Sequence, residues 1–310
     1  MQHVPKIAIC CSTFRRHDGL RSLLESLGRL VFKDRAPEIT VVITNNDTED
    51  GVPRTIADQA SNSLPFPVDY LEEEQRGLSF PRNRAIDHVR DSHDYIAFID
   101  DDSTARPDWL QQLLDVMIET GADVVTGPVA PVYETTPPDW IVQGGFFAPK
   151  QRTTGQELDR AFTNNVLIST EVLKRTGVRF PPEFALFGSE DTFFFRNMHK
   201  KGARILWASD AVVDDEVPAQ RATEEWLTMR HRRTGMCTSV QERRLRGSIF
   251  AVPLLTAKVI AWMILGTGLY IAGLFMGRAT RVRARCWLAW GHGLALGMLG
   301  RNYAEYLHER

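Results

Sequence analysis

The chain has 310 residues, enough for about two domains at roughly 150 residues each. Its 43% hydrophobic and 25% charged content is ordinary for a globular protein and excludes disorder, a collagen-like repeat and a pure coiled coil. The net charge of −2 offers no global basic field to a nucleic acid, but residues 241–310 hold ten Lys/Arg against three Asp/Glu, so an acidic body carries a basic, Leu/Ala/Gly/Trp-rich tail.

Residues 6–13 read as a buried strand, and Leu20, Leu23, Leu24 and Leu27 follow at helical spacing. The β-branched run 38–44 predicts a second strand that stops at the turn-forming Asn45-Asn46-Asp47. A short helix is expected over 52–61 and a third strand from Val68. A further helix is expected over 79–90, with Pro81 in its first turn, where a missing N–H does no harm. Residues 94–99 predict a fourth strand ending in Asp100-Asp101-Asp102, and Pro107 opens a helix reaching Met117. This alternation implies right-handed βαβ units and a mostly parallel, Rossmann-like α/β sheet flanked by helices. Ligands bind at the carboxyl ends of such strands, so Thr13, Arg15, Asn45, Asn46, Asp47 and the three aspartates are expected on one rim. Beyond residue 120, strands are expected over 123–130 and 162–169, on either side of a Pro/Gly-rich stretch. A short helix at 170–176, a longer one at 189–201, a strand within 203–213 and a helix over 221–234 complete the body.

Residues 249–276 form the longest apolar run, with Lys258 its one charged side chain, and exceed the about 20 residues needed to span a bilayer. Arg243, Arg244 and Arg246 precede it; Arg278, Arg281, Arg283 and Arg285 follow. A single crossing would export the second set, whereas a re-entrant or hairpin arrangement keeps both in the cytoplasm, as the positive-inside rule prefers. The run 286–300 is short for an independent span. The alternative is a buried hairpin in a soluble core; Trp262, Trp287 and Trp290 among arginines favour the membrane interface. Cys10, Cys11, Cys237 and Cys286 contain no CxxC pair, so a reduced compartment is expected. Lys6-Ile-Ala-Ile-Cys-Cys is too short for a signal peptide, so the body is expected to stay in the cytoplasm.

Three adjacent carboxylates at a strand end repel one another unless protonated, solvated or neutralised by a cation. A hard divalent ion, Mg²⁺ or Mn²⁺, resolves this; an acidic turn capping the next helix is the plain alternative. Gly77-Leu-Ser-Phe-Pro-Arg-Asn-Arg places a glycine loop before a helix carrying Arg82 and Arg84, a candidate diphosphate cradle. Gly188-Ser-Glu-Asp opens a helix among Phe184, Leu186, Phe187, Phe193, Phe194 and Phe195. It reads either as a capping box or as a carboxylate with a tuned pKa.

Together, Ile7-Ala-Ile-Cys-Cys-Ser-Thr-Phe-Arg-Arg-His-Asp-Gly-Leu, Val42-Ile-Thr-Asn-Asn-Asp-Thr, Gly77-Leu-Ser-Phe-Pro-Arg-Asn-Arg-Ala, Phe98-Ile-Asp-Asp-Asp and Gly188-Ser-Glu-Asp resemble, in order, the family 2 glycosyltransferases of GT-A fold. The likeness covers about residues 5–240 and is greatest to the succinoglycan-biosynthesis type of bacterial glucosyltransferase, with Asp215-Glu-Val-Pro and Arg230-His-Arg-Arg-Thr-Gly in support. It implies an inverting, metal-dependent transferase moving a hexose from a UDP-sugar to a saccharide, possible lipid-linked acceptors included, at the cytoplasmic face of a bacterial inner membrane. Under it Thr13, Arg15, Asn45, Asp47, Arg82, Asp100, Asp101 and Arg233 would hold the donor, Asp102 and Asp215 the divalent metal, and Asp191 would be the general base. The family usually has Asp where Asn45 stands, and Asn, unlike Asp, also donates hydrogen bonds. The implied division is a GT-A domain over 1–240, with donor and acceptor halves at 1–102 and 103–240, and a membrane-associated helical segment over 241–310. Two other readings compete: a haloacid-dehalogenase-type phosphatase using Asp100-x-Asp102-x-Thr104 with Asp214-Asp215, and a non-catalytic membrane-tethered nucleotide-sugar-binding module.

Overall fold

A computed structural model describes residues 3–33 and 36–301. Its first half alternates as β1 (Lys6–Thr13), α1 (His17–Leu27), β2 (Glu38–Asn45), α2 (Val52–Ser63), β3 (Val68–Glu72), α3 (Ser79–Val89) and β4 (Tyr95–Phe98). Then come β5 (Ser103–Ala105), α4 (Trp109–Thr120), β6 (Val124–Thr126), β7 (Val129–Tyr133), α5 (Asp139–Gly144), β8 (Glu157–Leu158), β9 (Val166–Ser169) and α6 (Thr170–Thr176). The chain continues through α7 (Glu190–Lys200), β10 (Ile205–Trp207), β11 (Val213–Val217), α8 (Glu224–Arg246), α9 (Ser248–Met276) and α10 (Arg278–Met298).

Eight strands form one sheet in the order β3-β2-β1-β4-β9-β6-β10-β8. The first four are parallel, as their continuous apolar runs require when both faces are covered. β9 is antiparallel to both β4 and β6, and β10 is parallel to β6. Side-chain alternation along β1 divides two cores. Ile7, Ile9 and Cys11 pack with Leu20, Leu23 and Trp109; Ala8 and Cys10 pack with Ile86, Phe98, Phe180 and Phe194. A three-stranded sheet, β5-β11-β7, has no counterpart in the sequence reading, because three to five residues carry too little periodicity to announce a strand.

The chain divides into two compact units: residues 1–130, 149–186 and 190–215, and residues 131–148, 187–189 and 216–310. In the second unit, the helix expected over 221–234 continues to Arg246. The expected run 286–300 is the end of a longer helix beginning at Arg278, because Arg is a good helix former and Gly277, at φ 97°, makes the break. Trp140, Ile141, Leu227, Val282 and Cys286 fasten α10 to α5 and α8. A Cβ on Gly293 would stand 1.9 Å from the Arg232 carbonyl oxygen, so the α8 and α10 backbones touch there. Among the described residues, α9 is the one helix long and apolar enough to cross a membrane.

Candidate active site

Strand register builds the rim. Thr13 pairs with Asn45, and Cys10 with Phe98, so the carboxyl ends of β1, β2 and β4 finish side by side. The chain leaves β4 directly into Asp100-Asp101-Asp102, opposite the loop that leaves β1. Arg16 of that loop donates to Asp101 (3.1 Å) and to Asp102 (2.7 Å). Burial pushes the Asp101 carboxyl up to about 6, although Arg16 pulls it down. Thr13 is buried on the same rim; its hydroxyl makes no well-formed hydrogen bond, yet is close enough to Asp101 to favour ionisation.

Arg15 and Ser189 are the two described non-glycine residues in left-handed backbone, at φ 56° and 65°, and each lies in a loop singled out from the sequence. Such conformations cost of order 1–3 kcal/mol and cluster at functional sites. Arg15 reaches Asp47 at 2.5 Å. Asn45 is fully buried and committed to its own loop. Its amide donates to the carbonyls of Asp47 (2.7 Å) and Asp50 (3.1 Å) and contacts the Tyr70 hydroxyl (3.0 Å), while its Oδ1 accepts from the Asp47 N–H (3.0 Å). An aspartate could not donate to those carbonyls, which explains the amide here. Asn45 therefore shapes the rim and has no amide hydrogen left for a ligand.

Arg82 is the centre of the constellation. Its side chain is 8% exposed, pairs with Glu190 and donates to Asp100 at 3.3 Å. The motif around it is a clasp. Leu78 N–H donates to the Ala185 carbonyl (3.0 Å), Ser79 Oγ to the Pro181 carbonyl (2.8 Å), and Asn83 exchanges hydrogen bonds with the Phe180 backbone. Gly77 has φ 125°, and a Cβ there would stand 2.8 Å from Ala185, so glycine is required on both counts. The loop over 180–185 is thus locked to α3 shortly before Glu190 and Asp191 begin α7. The guanidinium of Arg82 is turned to two carboxylates, and Arg84 faces solvent.

Glu190 is buried, and its second carboxylate oxygen has no hydrogen-bond partner. Burial pushes its carboxyl up to about 7, outweighing the attraction of Arg82, while the Asp191 charge adds to the rise. Asp191 is half-buried and accepts from the Thr192 N–H (2.5 Å) and hydroxyl (3.2 Å). Its pKa and that of Asp100 are also raised, first by burial. The folded state holds the Glu190 proton more tightly than the unfolded chain, whose value is near 4.5. Its stabilising contribution is therefore complete below about pH 4.5 and is lost as pH rises towards about 7. Glu190→Gln should flatten that part of the stability–pH curve. Urea unfolding at several pH values checks this; wild-type and variant curves that run parallel would reject it.

Asp215 pairs in register with Ser103, the residue after Asp102, and accepts from its hydroxyl at 3.3 Å. Arg233 lies on α8, in the second unit. Among the described residues, no group of three or more His, Cys, Asp or Glu is placed to hold a metal by itself. Asp214, which the phosphatase reading would need at a metal, is instead gripped by Arg106 Nη2 (2.7 Å) and Nε (3.1 Å). The contacts of Arg16 with Asp101 and Asp102 and the pairing of Arg82 with Glu190 were not foreseen from sequence. The available signal was Arg15-Arg16 after β1, beside a strand ending in three aspartates, since parallel neighbours bring their carboxyl ends together.

Residues 8–177 match Glycosyl transferase family 2. Succinoglycan biosynthesis protein ExoM of Rhizobium meliloti (strain 1021) is 33% identical over 229 residues, 74% of this chain and 72% of that protein. Glucosyl-dolichyl phosphate glucuronosyltransferase of Haloferax volcanii is 23% identical over 242 residues, 72% of each chain. Among solved structures, the mannosyltransferase PcManGT from Pyrobaculum calidifontis, in complex with GDP-Man and Mn2+, aligns with a TM-score of 0.63 at 16% identity, covering 97% of this chain and 89% of that one. S. aureus TarS 1-349 in complex with UDP-GlcNAc aligns at 0.55 and 16% identity, covering 96% and 92%. These likenesses in fold accompany the mixed sheet and the strand-end rim described above. With more than half its length matched by the family and 33% identity to ExoM over 74% of this chain and 72% of that protein, the protein belongs to the family 2 glycosyltransferases and has their GT-A fold.

Proposed function

We propose that this glycosyltransferase is inverting and metal-dependent, and moves a hexose from a UDP-sugar to a saccharide acceptor in the synthesis of a bacterial exopolysaccharide or related surface glycan. The observation that carries the reading is an excess of acid on the rim. Asp100, Asp101, Asp102, Glu190 and Asp191 gather around Arg16 and Arg82, and burial holds four of these acids' pKa values above the ordinary range. Such a cluster suits positive charge arriving with a ligand. Asp102 and Asp215 would hold a divalent ion, which when bound would supply positive charge to offset that on the departing nucleoside diphosphate.

The other roles fall to the chain's own groups. Thr13, Arg15, Asp47, Asp100 and Asp101 form the donor side, with Asn45 holding the loop. Arg82 faces the nucleotide while holding Glu190 and Asp100 in fixed relation, and Arg233 is assigned to the diphosphate. Asp191 takes the proton of the acceptor hydroxyl as that oxygen bonds to the anomeric carbon and the carbon–oxygen bond to the diphosphate breaks. One displacement inverts the centre. The name of the Rhizobium relative supports exopolysaccharide, and the glucosyl-dolichyl phosphate named in the Haloferax relative supports a lipid-linked saccharide acceptor. The apolar α9 supports attachment to a membrane, which the proposal takes to be the cytoplasmic face of the inner membrane.

A thermal-shift screen of nucleotide-sugars with and without Mn²⁺ tests the donor side. A UDP-hexose at a hundredfold excess over Kd should raise Tm by roughly 5 °C, and Asp102→Asn should remove the metal-dependent part. If no nucleotide-sugar stabilises the protein, the donor assignment falls. If Asp102→Asn binds donor normally in chelator, the metal assignment falls.

A further inference from the structure

We propose that α9 does not cross the bilayer. It lies in the plane of one leaflet, with its outer face in the boundary between acyl chains and anionic headgroups and its inner face on α8 and α10. This rests on the membrane attachment proposed above and specifies its geometry.

The second unit constrains the helix at both ends. α10 runs antiparallel to α9: Gly273 meets Arg281, Gly266 meets Leu288, and Gly291 meets Trp262. α8 runs parallel to α10 along nearly its whole length. Arg285 pairs with Glu224, Gly293 meets Arg232, and Ser239 Oγ donates to the Leu294 carbonyl at 2.7 Å. The carboxyl end of α9 is therefore held at the start of α8, where Arg285 lies both beside Glu224 and over the Tyr270 ring. The amino end is held at the finish of α8, where Lys258 reaches Glu242 at 3.6 Å. A transmembrane α9 would have to carry α8 into the hydrocarbon beside it. α8 contains three glutamates and six arginines in 23 residues, a composition that a lipid-embedded helix does not tolerate.

The outer face has the opposite character. Apart from the buried stripe Ala251, Leu255, Gly266 and Gly273, most of the circumference of α9 is exposed and apolar, with Phe250 at 74%, Ile264 at 66% and Phe275 at 89%. Lys258, the one charged residue of α9, is the one that reaches back to Glu242. An apolar face of this length is more than water-exposed protein carries without a partner. Exposed Arg244 and Arg246 precede α9 in the chain and Arg278 follows it, so positive charge borders the apolar helix at both ends. α9 has no polar face of its own; the polar side of the layer is supplied by α8. Both arginine sets then stay on one side of the membrane, as the positive-inside rule prefers.

The test uses the full chain and vesicles of phosphatidylglycerol with phosphatidylcholine. Single fluorophores are placed at Phe250→Cys, Ile264→Cys and Phe275→Cys, the native cysteines being buried. Nitroxide lipids should quench all three from the same shallow depth. A deep position 264 between shallow 250 and 275 would overturn the in-plane arrangement. The triple variant Phe250→Glu/Ile264→Glu/Phe275→Glu should keep its Tm and its transfer to a soluble acceptor, yet bind vesicles about tenfold more weakly. If that variant instead converts a dimer to a monomer with vesicle binding unchanged, the face is a contact between copies and the proposal fails. If the unaltered chain ignores vesicles altogether, the attachment reading itself falls.

Discussion

Asp191→Asn should lower turnover by about 10²–10⁴-fold, the usual scale of general-base catalysis, with donor affinity almost unchanged. The substitution keeps the shape of the side chain and its contacts with Thr192 but cannot take up the acceptor's proton. The neighbouring carboxylate is the essential control. Glu190 is buried against Arg82, whereas Asp191 is half-buried and shares its proton equilibrium with the same cluster. One helical residue separates them by about 100°, so they cannot point the same way. Glu190→Gln should therefore act through the position of Arg82. It should change the pH profile and donor affinity more than Asp191→Asn does. Single-turnover transfer rates for the two variants decide the matter. If Asp191→Asn transfers near the wild-type rate while Glu190→Gln is dead, the base is Glu190.

Arg82→Ala should destabilise the fold by about 3–5 kcal/mol, the typical cost of removing one partner from a buried ion pair. Glu190 would lose the guanidinium it pairs with, and Asp100 would lose the same counter-charge. The size of the loss depends on pH. A Glu190 carboxyl already pushed up to about 7 can take a proton in place of the missing guanidinium, so the variant should lose less stability at pH 5 than at pH 8. Arg82→Lys restores charge but not the planar fork that spans two carboxylates, so it should recover stability more fully than turnover. Urea unfolding at both pH values, with transfer rates for both variants, checks each part. Equal losses at pH 5 and pH 8 would mean that the pair is not what holds this site together.

Much of this was legible in one dimension because the signals are local. The parallel half of the sheet shows as apolar runs alternating with amphipathic helices, and Leu20, Leu23, Leu24 and Leu27 are all buried where their spacing puts them. The strand ends carry the polar residues, so the sequence assigns Thr13, Asp101 and Asp102 to one rim, and β1–β2 and β1–β4 register does align those ends. The long apolar helix and its arginine borders are likewise composition read over a window.

Tertiary structure decided what depends on partners far away in sequence. Arg82 and Glu190 are 108 residues apart, and Arg16 and Asp102 are 86 apart; no periodicity links such pairs. Gly77 looks like any loop glycine until Ala185 is seen against it. Asn45 departs from the family's aspartate because backbone carbonyls at Asp47 and Asp50 need a donor, and which carbonyls fold back on a side chain is a property of the closed loop. The orientation of α9 is the largest case. Its sequence states only that it is apolar and long enough; that the charged helix α8 lies in the same bundle, against α10 at Gly293 and Arg285 and against α9 at Lys258, is what the in-plane proposal rests on. Local composition determines which segments avoid water, and long-range packing determines which other groups they must bring with them.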